Sequence, residues 1–213
     1  NPPYVGIMHR LDRETSGAIL FTKQRCVNEF IHKMFEDHNF QKTYHAISFS
    51  NKEIKKKFQV ENFMGRISNK SSAAKWGIIP EIKGGVYSKT EFTLLKQLEL
   101  EKYNSYYIEA KPITGRTHQI RAHLAHCKLS IVCDPLYGGN QKPVRLSEIK
   151  RSWKGDVYEE RPLLNRLALH AYKIAFTHPT TNERVEFVAP YYKDMDSVRK
   201  QLAKLFKTDP LAE

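Results

Sequence analysis

The strand-forming runs of this chain come in pairs rather than in alternation with helices, and that ordering restricts the fold more than any other feature. Thr90 to Gln97 is followed by Tyr106 to Lys111 across a short polar connection. His170, Tyr172, Ile174 and Phe176 alternate strictly, as a half-buried strand does. The cluster His178-Pro179-Thr180-Thr181-Asn182 supplies a turn, and Val185, Phe187 and Ala189 alternate beyond it, which completes a hairpin. Two earlier runs, Gly17 to Lys23 and Lys42 to Phe49, also read as strands. Helical spacing predicts three helices. The first carries Val27, Phe30, Ile31, Met34 and Phe35 on one face; the second covers Thr117 to Lys128, with Ile120, Leu124 and Cys127 together and Thr117 as cap. The third carries Val198, Leu202, Leu205 and Phe206, with Asp194 or Asp196 at its N-terminal cap. This order predicts an α+β domain on a mixed, mainly antiparallel sheet with flanking helices, not a doubly wound parallel sheet. No internal repeat, GxGxxG or Walker loop interrupts it.

A chain of 213 residues buries about 70% of its unfolded surface, enough for a core without disulfides or structural metals. No apolar run of bilayer-spanning length is present. Lys plus Arg is 35 against 23 Asp plus Glu, a net charge of +12. Such a balance favours a polyanionic partner, because each neutralised phosphate releases a counterion; a merely soluble basic surface is the alternative. The charge concentrates between Asn51 and Lys83, where seven Lys and one Arg face three Glu. This segment reads as an irregular or hairpin excursion on the surface. Its Lys52, Lys55, Lys56, Lys57, Arg66, Lys70 and Lys75 are candidates for contacts to a nucleic-acid backbone, against the alternative of a solvated loop. Gly138 to Arg161 is a second polar connection. Cys26, Cys127 and Cys133 are odd in number and form no CxxC pair, so a cytoplasmic protein without a disulfide framework is expected. The sequence opens at Asn1 with no visible signal peptide.

Two polar clusters stand out. In His9-Arg10-Leu11-Asp12-Arg13-Glu14-Thr15-Ser16-Gly17, Asp12 sits between two arginines before an apolar run. Its carboxylate suits a nucleophile, a general base or half of a structural ion pair. In Thr114-Gly115-Arg116-Thr117-His118-Gln119-Ile120-Arg121-Ala122-His123, Arg121 follows Ile120 at the edge of an apolar helical face and can point into a cleft. His118, His123, His126 and Cys127 match no zinc spacing, and no metal site is expected.

Together these clusters resemble the RluA-type pseudouridine synthase family, whose members isomerise uridine within ribosomal or transfer RNA. Lys42-Thr43-Tyr44, Gly85 to Phe92, Asp134-Pro135-Leu136-Tyr137-Gly138 and Arg166 to Ala171 agree in order and spacing. The likeness runs from about Gly6 to Pro190. It implies a single catalytic domain over residues 1–213 with a central RNA-binding cleft. Asp12 matches the catalytic aspartate, Tyr44 the tyrosine that stacks on the flipped uracil, and Arg121 the basic residue paired with the carboxylate. Arg10 matches an arginine that fills the space left by the flipped base. The family's upstream Lys-Pro-x-Gly strand has no counterpart after Asn1, so an N-terminal strand is expected to be missing.

The implied reaction breaks a carbon–nitrogen glycosidic bond, turns the uracil and joins its C5 to the same ribose carbon. No redox cofactor, metal or second substrate is required, and a monomer with no protein partner suffices. Whether the nucleophile attacks the sugar or the ring stays open. Arg121 is expected to hold Asp12 anionic and oriented, while Leu11, Ile120 and Leu124 are candidates for the apolar floor of the pocket. Two rivals remain: a non-catalytic RNA-binding factor, which needs no Asp12–Arg121 pair, and a hydrolytic nucleosidase or nuclease, which normally shows paired carboxylates or metals.

Overall fold

The computed structural model describes residues 3–68, 74–100, 104–138, 142–150 and 152–209. In chain order its elements are β1 (Gly6–Ile7), β2 (Ser16–Gly17), β3 (Phe21–Thr22), α1 (Asn28–Glu36), β4 (Gln41–Ser50), β5 (Lys57–Arg66), β6 (Trp76–Ile78), β7 (Val86–Glu99), β8 (Asn104–Pro112), α2 (Gln119–His126), α3 (Leu146–Ile149), β9 (Leu169–Thr177), β10 (Arg184–Val188) and α4 (Lys193–Phe206). The main sheet runs β10-β9-β4-β8-β7-β5-β6, and every neighbouring pair in it is antiparallel. Its single parallel pairing joins β2 to β9. The fold is therefore α+β on a mixed, mainly antiparallel sheet.

The expected strand from Gly17 to Lys23 is split. β2 joins the main sheet, whereas β3 pairs with β1 in a separate two-stranded sheet. Gly17 forces the break: its φ is +117°, and an added Cβ would lie 2.2 Å from the Ala171 carbonyl oxygen. Only glycine fits such a backbone so close to another strand.

The basic segment is also more ordered than expected. Lys57–Arg66 is a ten-residue strand paired along its length with β7. Val60 and Met64 are buried on its inner face and Phe58 stacks on Phe92. Asn62 breaks this alternation in the sequence. In the fold it receives the Ser88 hydroxyl at 2.8 Å, so a polar residue occupies an inward position. The polar connection after Gly138 likewise contributes Val144 and Ile149 to the main core.

Strand β9 is more buried than its alternation predicts. His170, Ala171, Ile174, Ala175 and Phe176 are all covered, because β9 has a strand on each side and packed side chains on both faces. Helix α4 buries Met195, Val198 and Leu202, but Tyr192 is its N-cap. Asp194 instead takes the Arg166 guanidinium at 2.6 and 2.7 Å, and Asp196 pairs with Arg199 and Lys200. Likewise Thr117 does not cap α2. The residue before that helix is His118, with φ 56°.

Candidate active site

Register brings the two halves of the site together. On β9, Ala171 has Gly17 of β2 on one side and Tyr44 of β4 on the other. Two strand spacings, roughly 10 Å, thus separate the backbone at the end of the Asp12 loop from the backbone of Tyr44. Across the sheet, Tyr44 faces Ala110 of β8, near the end of that strand that leads into α2.

The Asp12 loop is pinned along its length. The Thr15 amide donates to the Asp12 carbonyl at 3.0 Å, closing a turn. Arg166 donates to the Glu14 carbonyl at 3.0 Å while held by Asp194, which ties the loop to α4. The Ser16 hydroxyl donates to Nδ1 of His170, whose Nε2–H is taken by the Ala189 carbonyl. Earlier in the loop, Nε2 of His9 accepts the Leu20 amide at 2.8 Å. Burial, with a contribution from Lys42, lowers the His9 pKa to about 4 and keeps the ring neutral.

The second half is organised by Gln119. Its Oε1 accepts the Thr114 hydroxyl at 2.7 Å and the Arg116 amide at 3.0 Å; its Nε2 donates to Lys89 O and Thr90 Oγ1. This buried amide clamps the 114–119 loop onto β7 and sets where α2 begins. Arg121 lies in the first turn of α2 and is only 5% exposed. Its NH1 reaches Asp12 Oδ2 at 3.2 Å, while Nε and NH2 each meet Asp134 at 2.8 Å. Asp134 also accepts the amides of Leu136 and Tyr137 at 2.9 and 3.0 Å. The Tyr137 ring lies 5.1 Å from the guanidinium, and its hydroxyl donates to the Trp76 carbonyl. A buried arginine needs its charge and its hydrogen bonds answered, and here two carboxylates and a ring do so.

The Asp12 side chain keeps 20% of its surface exposed. It faces a cavity of about 120 Å³ lined by Arg10, Leu11, Tyr44, Ile120 and Arg121, among others. Burial pushes the Tyr44 hydroxyl up to about 12, and the negative charge of Asp12 adds to the effect. Tyr44 therefore stays protonated across the physiological range. A solvent-reachable carboxylate, an oriented cation and an aromatic wall together suit attack on a flat heterocyclic nucleoside.

Six of the seven residues expected at the pocket line it. Leu124 does not: it is fully buried in the main core. Four residues beyond Ile120, it lies roughly 6 Å further along the helix and below the cavity. The expected backbone contacts divide. Arg66 and Lys75 lie at the end of the sheet where the cavity opens, and Lys75 sits 5.2 Å from the Tyr137 ring. Lys52 follows the far end of β4, about 20 Å from Tyr44 at the rise of a strand, whereas Lys57 opens β5 three strands across the sheet, on the row that runs through Thr93 and Glu109 to His45. Lys55 and Lys56 lie in the connection between them. Lys52 and Lys56 donate to carbonyls of Cys127 and Leu95. Lys70 lies outside the described residues. His123, read with the histidines of its stretch, is buried against Thr90.

Residues 1–126 match the family model described as RNA pseudouridylate synthase. The chain belongs to that family. It is 34% identical over 191 residues to an uncharacterised RNA pseudouridine synthase of Bacillus subtilis, spanning 90% of this chain and 54% of the relative. To the ribosomal large subunit pseudouridine synthase D of Neisseria meningitidis it is 32% identical, covering 91% of this chain and 47% of that one. To the ribosomal large subunit pseudouridine synthase C of Vibrio vulnificus it is 31% identical, covering 93% and 56%. The chain thus spans about half the length of the curated relatives it matches. The solved structure of human RNA pseudouridylate synthase domain containing 1 superposes with a TM-score of 0.67 at 23% identity, over 97% of this chain and 82% of that one.

Asp134, Tyr137 and Gln119 of this pseudouridylate synthase domain escaped the reading of its sequence. The stretch Asp134 to Gly138 was visible, but nothing local shows that its carboxylate turns toward Arg121. One signal was available: an arginine at the edge of an apolar helical face requires a buried acceptor.

Proposed function

We propose that this domain isomerises a uridine of RNA to pseudouridine, with Asp12 as nucleophile. The observation that carries this reading is the Asp12 carboxylate, held 3.2 Å from Arg121 at the mouth of a pocket walled by Tyr44. Asp12 forms a covalent bond to the ribose carbon or to the pyrimidine ring. The glycosidic bond breaks, the uracil turns, its C5 bonds to the ribose carbon, the bond to Asp12 breaks to restore the carboxylate, and the C5 proton leaves as N1 takes one up. Arg121 orients the carboxylate through NH1, since its other donors are fixed on Asp134.

A paired or stacked uridine cannot reach Asp12, so the nucleotide is extruded at a cost of a few kcal/mol. Stacking on Tyr44 offsets about 1–3 kcal/mol of that cost. Arg10 lines the pocket, where it can occupy the space the base leaves. Leu11 and Ile120 present the apolar floor that keeps water from the detached uracil. Arg66 and Lys75 flank the route of the RNA backbone, and the lysines around the start of β5 meet only an RNA that also extends across the sheet.

Two relatives are named for the ribosomal large subunit, which makes large-subunit rRNA the first substrate to try. The three cysteines form no disulfide among the described residues, which suits a reducing cytoplasm, and the site is built from one chain, as a monomer requires. The test uses a large-subunit rRNA transcript tritiated at uridine C5. The wild-type protein releases tritium, and Asp12→Asn binds the transcript without releasing any. Binding without release by the wild type would leave only an RNA-binding role, and an abasic product would mean hydrolysis.

A further inference from the structure

A second cavity, about 530 Å³, adjoins the first and shares Arg10, Lys42, Thr114, Gly115 and Arg116 with it. Its far wall is built by Phe35 and Glu36 of α1, His38 and Phe40. Lys42 stands at the junction. It is two residues before Tyr44 on β4, so both side chains project from the same face of the strand.

The Lys42 side chain is half-buried, and no carboxylate or carbonyl meets its ammonium among the described residues. Its neighbour is the ring of Phe35, 5.4 Å away. Gly115 leaves it uncovered on the other side, where an added Cβ would come within 3.6 Å of Nζ. Burial lowers its pKa. The Arg116 guanidinium is anchored on the Tyr87 carbonyl at 2.9 Å, and Arg10 is the third cation on these walls. Against them the second cavity offers a single carboxylate, Glu36. Arg121 does not count toward this excess, because Asp12 and Asp134 answer its charge. A half-buried cation that has lost part of its hydration without gaining a carboxylate is under-compensated, and a site with such an excess is complementary to an anion.

We propose that the second cavity is a phosphodiester site, in which Lys42 takes the backbone phosphate of the nucleotide whose base enters the Asp12–Tyr44 pocket. The inference rests on the reading of that pocket as a nucleoside site. A base against Tyr44 keeps its ribose beside Asp12 and directs its phosphate out of the first cavity. Lys42, one pleat away on the same strand, is the cation nearest along that path. Holding the phosphate would fix how deeply the base enters and would make Lys42 a positioning residue.

The experiment measures binding of the same large-subunit rRNA transcript across a range of salt concentrations, tritium release, and the melting temperature of the free protein. Lys42→Met preserves length and apolar packing, and Lys42→Arg preserves charge. Lys42→Met should bind about tenfold more weakly and lose roughly 0.7–0.9 from the slope of log K against log salt, the share of one phosphate contact. Its KM should rise by more than its kcat falls, and its melting temperature should equal or exceed that of the wild type. Lys42→Arg should restore the slope. The salt slope decides: a slope unchanged in Lys42→Met overturns the proposal, and a lowered melting temperature beside it would mark Lys42 as scaffold. Failure of the underlying reading looks different. A wild-type protein whose binding depends on Lys42 but which releases no tritium would refute the isomerisation and leave the phosphate site standing.

Discussion

Asp134 grips Arg121 at both of its outer donors, Nε to Oδ2 and NH2 to Oδ1, each at 2.8 Å. The geometry leaves NH1 as the donor that reaches Asp12. The two carboxylates do different work. Asp134 is wholly buried and carries four hydrogen bonds, so it is a fixture, whereas Asp12 is partly exposed and accepts from Arg121 on one oxygen.

Asp134→Asn should therefore harm both stability and chemistry. The amide keeps the shape but loses the charge, and breaking a buried pair in this way costs about 3 kcal/mol. Urea unfolding should show that loss. Tritium release should fall more than tenfold while affinity for the RNA transcript stays within about twofold of wild type. A variant as stable and as active as the wild type would mean that Asp12 alone holds Arg121.

Tyr44 separates stacking from hydroxyl chemistry. If the ring does the work, Tyr44→Phe should bind RNA as the wild type does, and Tyr44→Ala should lose about 1–3 kcal/mol of binding. With its hydroxyl held up near 12, Tyr44 should add no basic limb to the rate profile below about pH 10. Equal affinities for the Phe and Ala variants would remove stacking from its role.

Gly17→Ala should disturb the site from a distance. The methyl would strike the Ala171 carbonyl and occupy a backbone region that L residues avoid, at a cost of about 1–3 kcal/mol. Because Ala171 is also the register partner of Tyr44, relief of the clash should move the Asp12 loop relative to the ring. A lower melting temperature with a reduced kcat is expected, and unchanged turnover would mean that the loop is positioned by Arg166 and His170 alone.

Acid should destabilise the fold before it protonates most carboxylates. Burial lowers His123 to about 4, with a smaller push from His126. Burial, aided by His170, Lys173 and Lys111, lowers His45 to about 3, and its ring is hydrogen-bonded to the Tyr191 hydroxyl. Their unfolded value is near 6.5, so below that pH the unfolded chain binds protons that the folded chain refuses. Stability is complete above pH 6.5 and falls by about 1.4 kcal/mol per pH unit for each histidine toward pH 4. Urea midpoints at pH 7, 6 and 5 should trace the decline, and His45→Gln should make it shallower. A midpoint constant from pH 7 to 5 would contradict the buried neutral rings.

Much of the site could be read before the fold was known. Asp12, Arg121 and Tyr44 lie in motifs whose residues are neighbours in sequence. The hairpin after Thr177 and the amphipathic helices α1 and α4 follow from local periodicity. Leu124 was misplaced because a helical face extends beyond the pocket it lines. The hairpin of β5 and β6 is indistinguishable from an irregular segment in the sequence because Asn62 sits inward with its partner on β7, and the lysines near it mask the alternation. Asp194 resembles a cap in the sequence because its arginine is 28 residues away.

The sequence by itself determined the α+β class, the chemistry available at residues 9–17 and 114–123, and the family. Each depends on side-chain type and short-range spacing, which need no folded partner to be legible. The folded chain alone reveals that Asp134 holds Arg121, that Gly17 and Tyr44 flank Ala171, and that Lys57 stands three strands away on the row of His45. Those outcomes depend on strand register and on the neutralisation of buried charge. Both are set by contacts between residues tens of positions apart, where a one-residue slip reverses which face a side chain occupies.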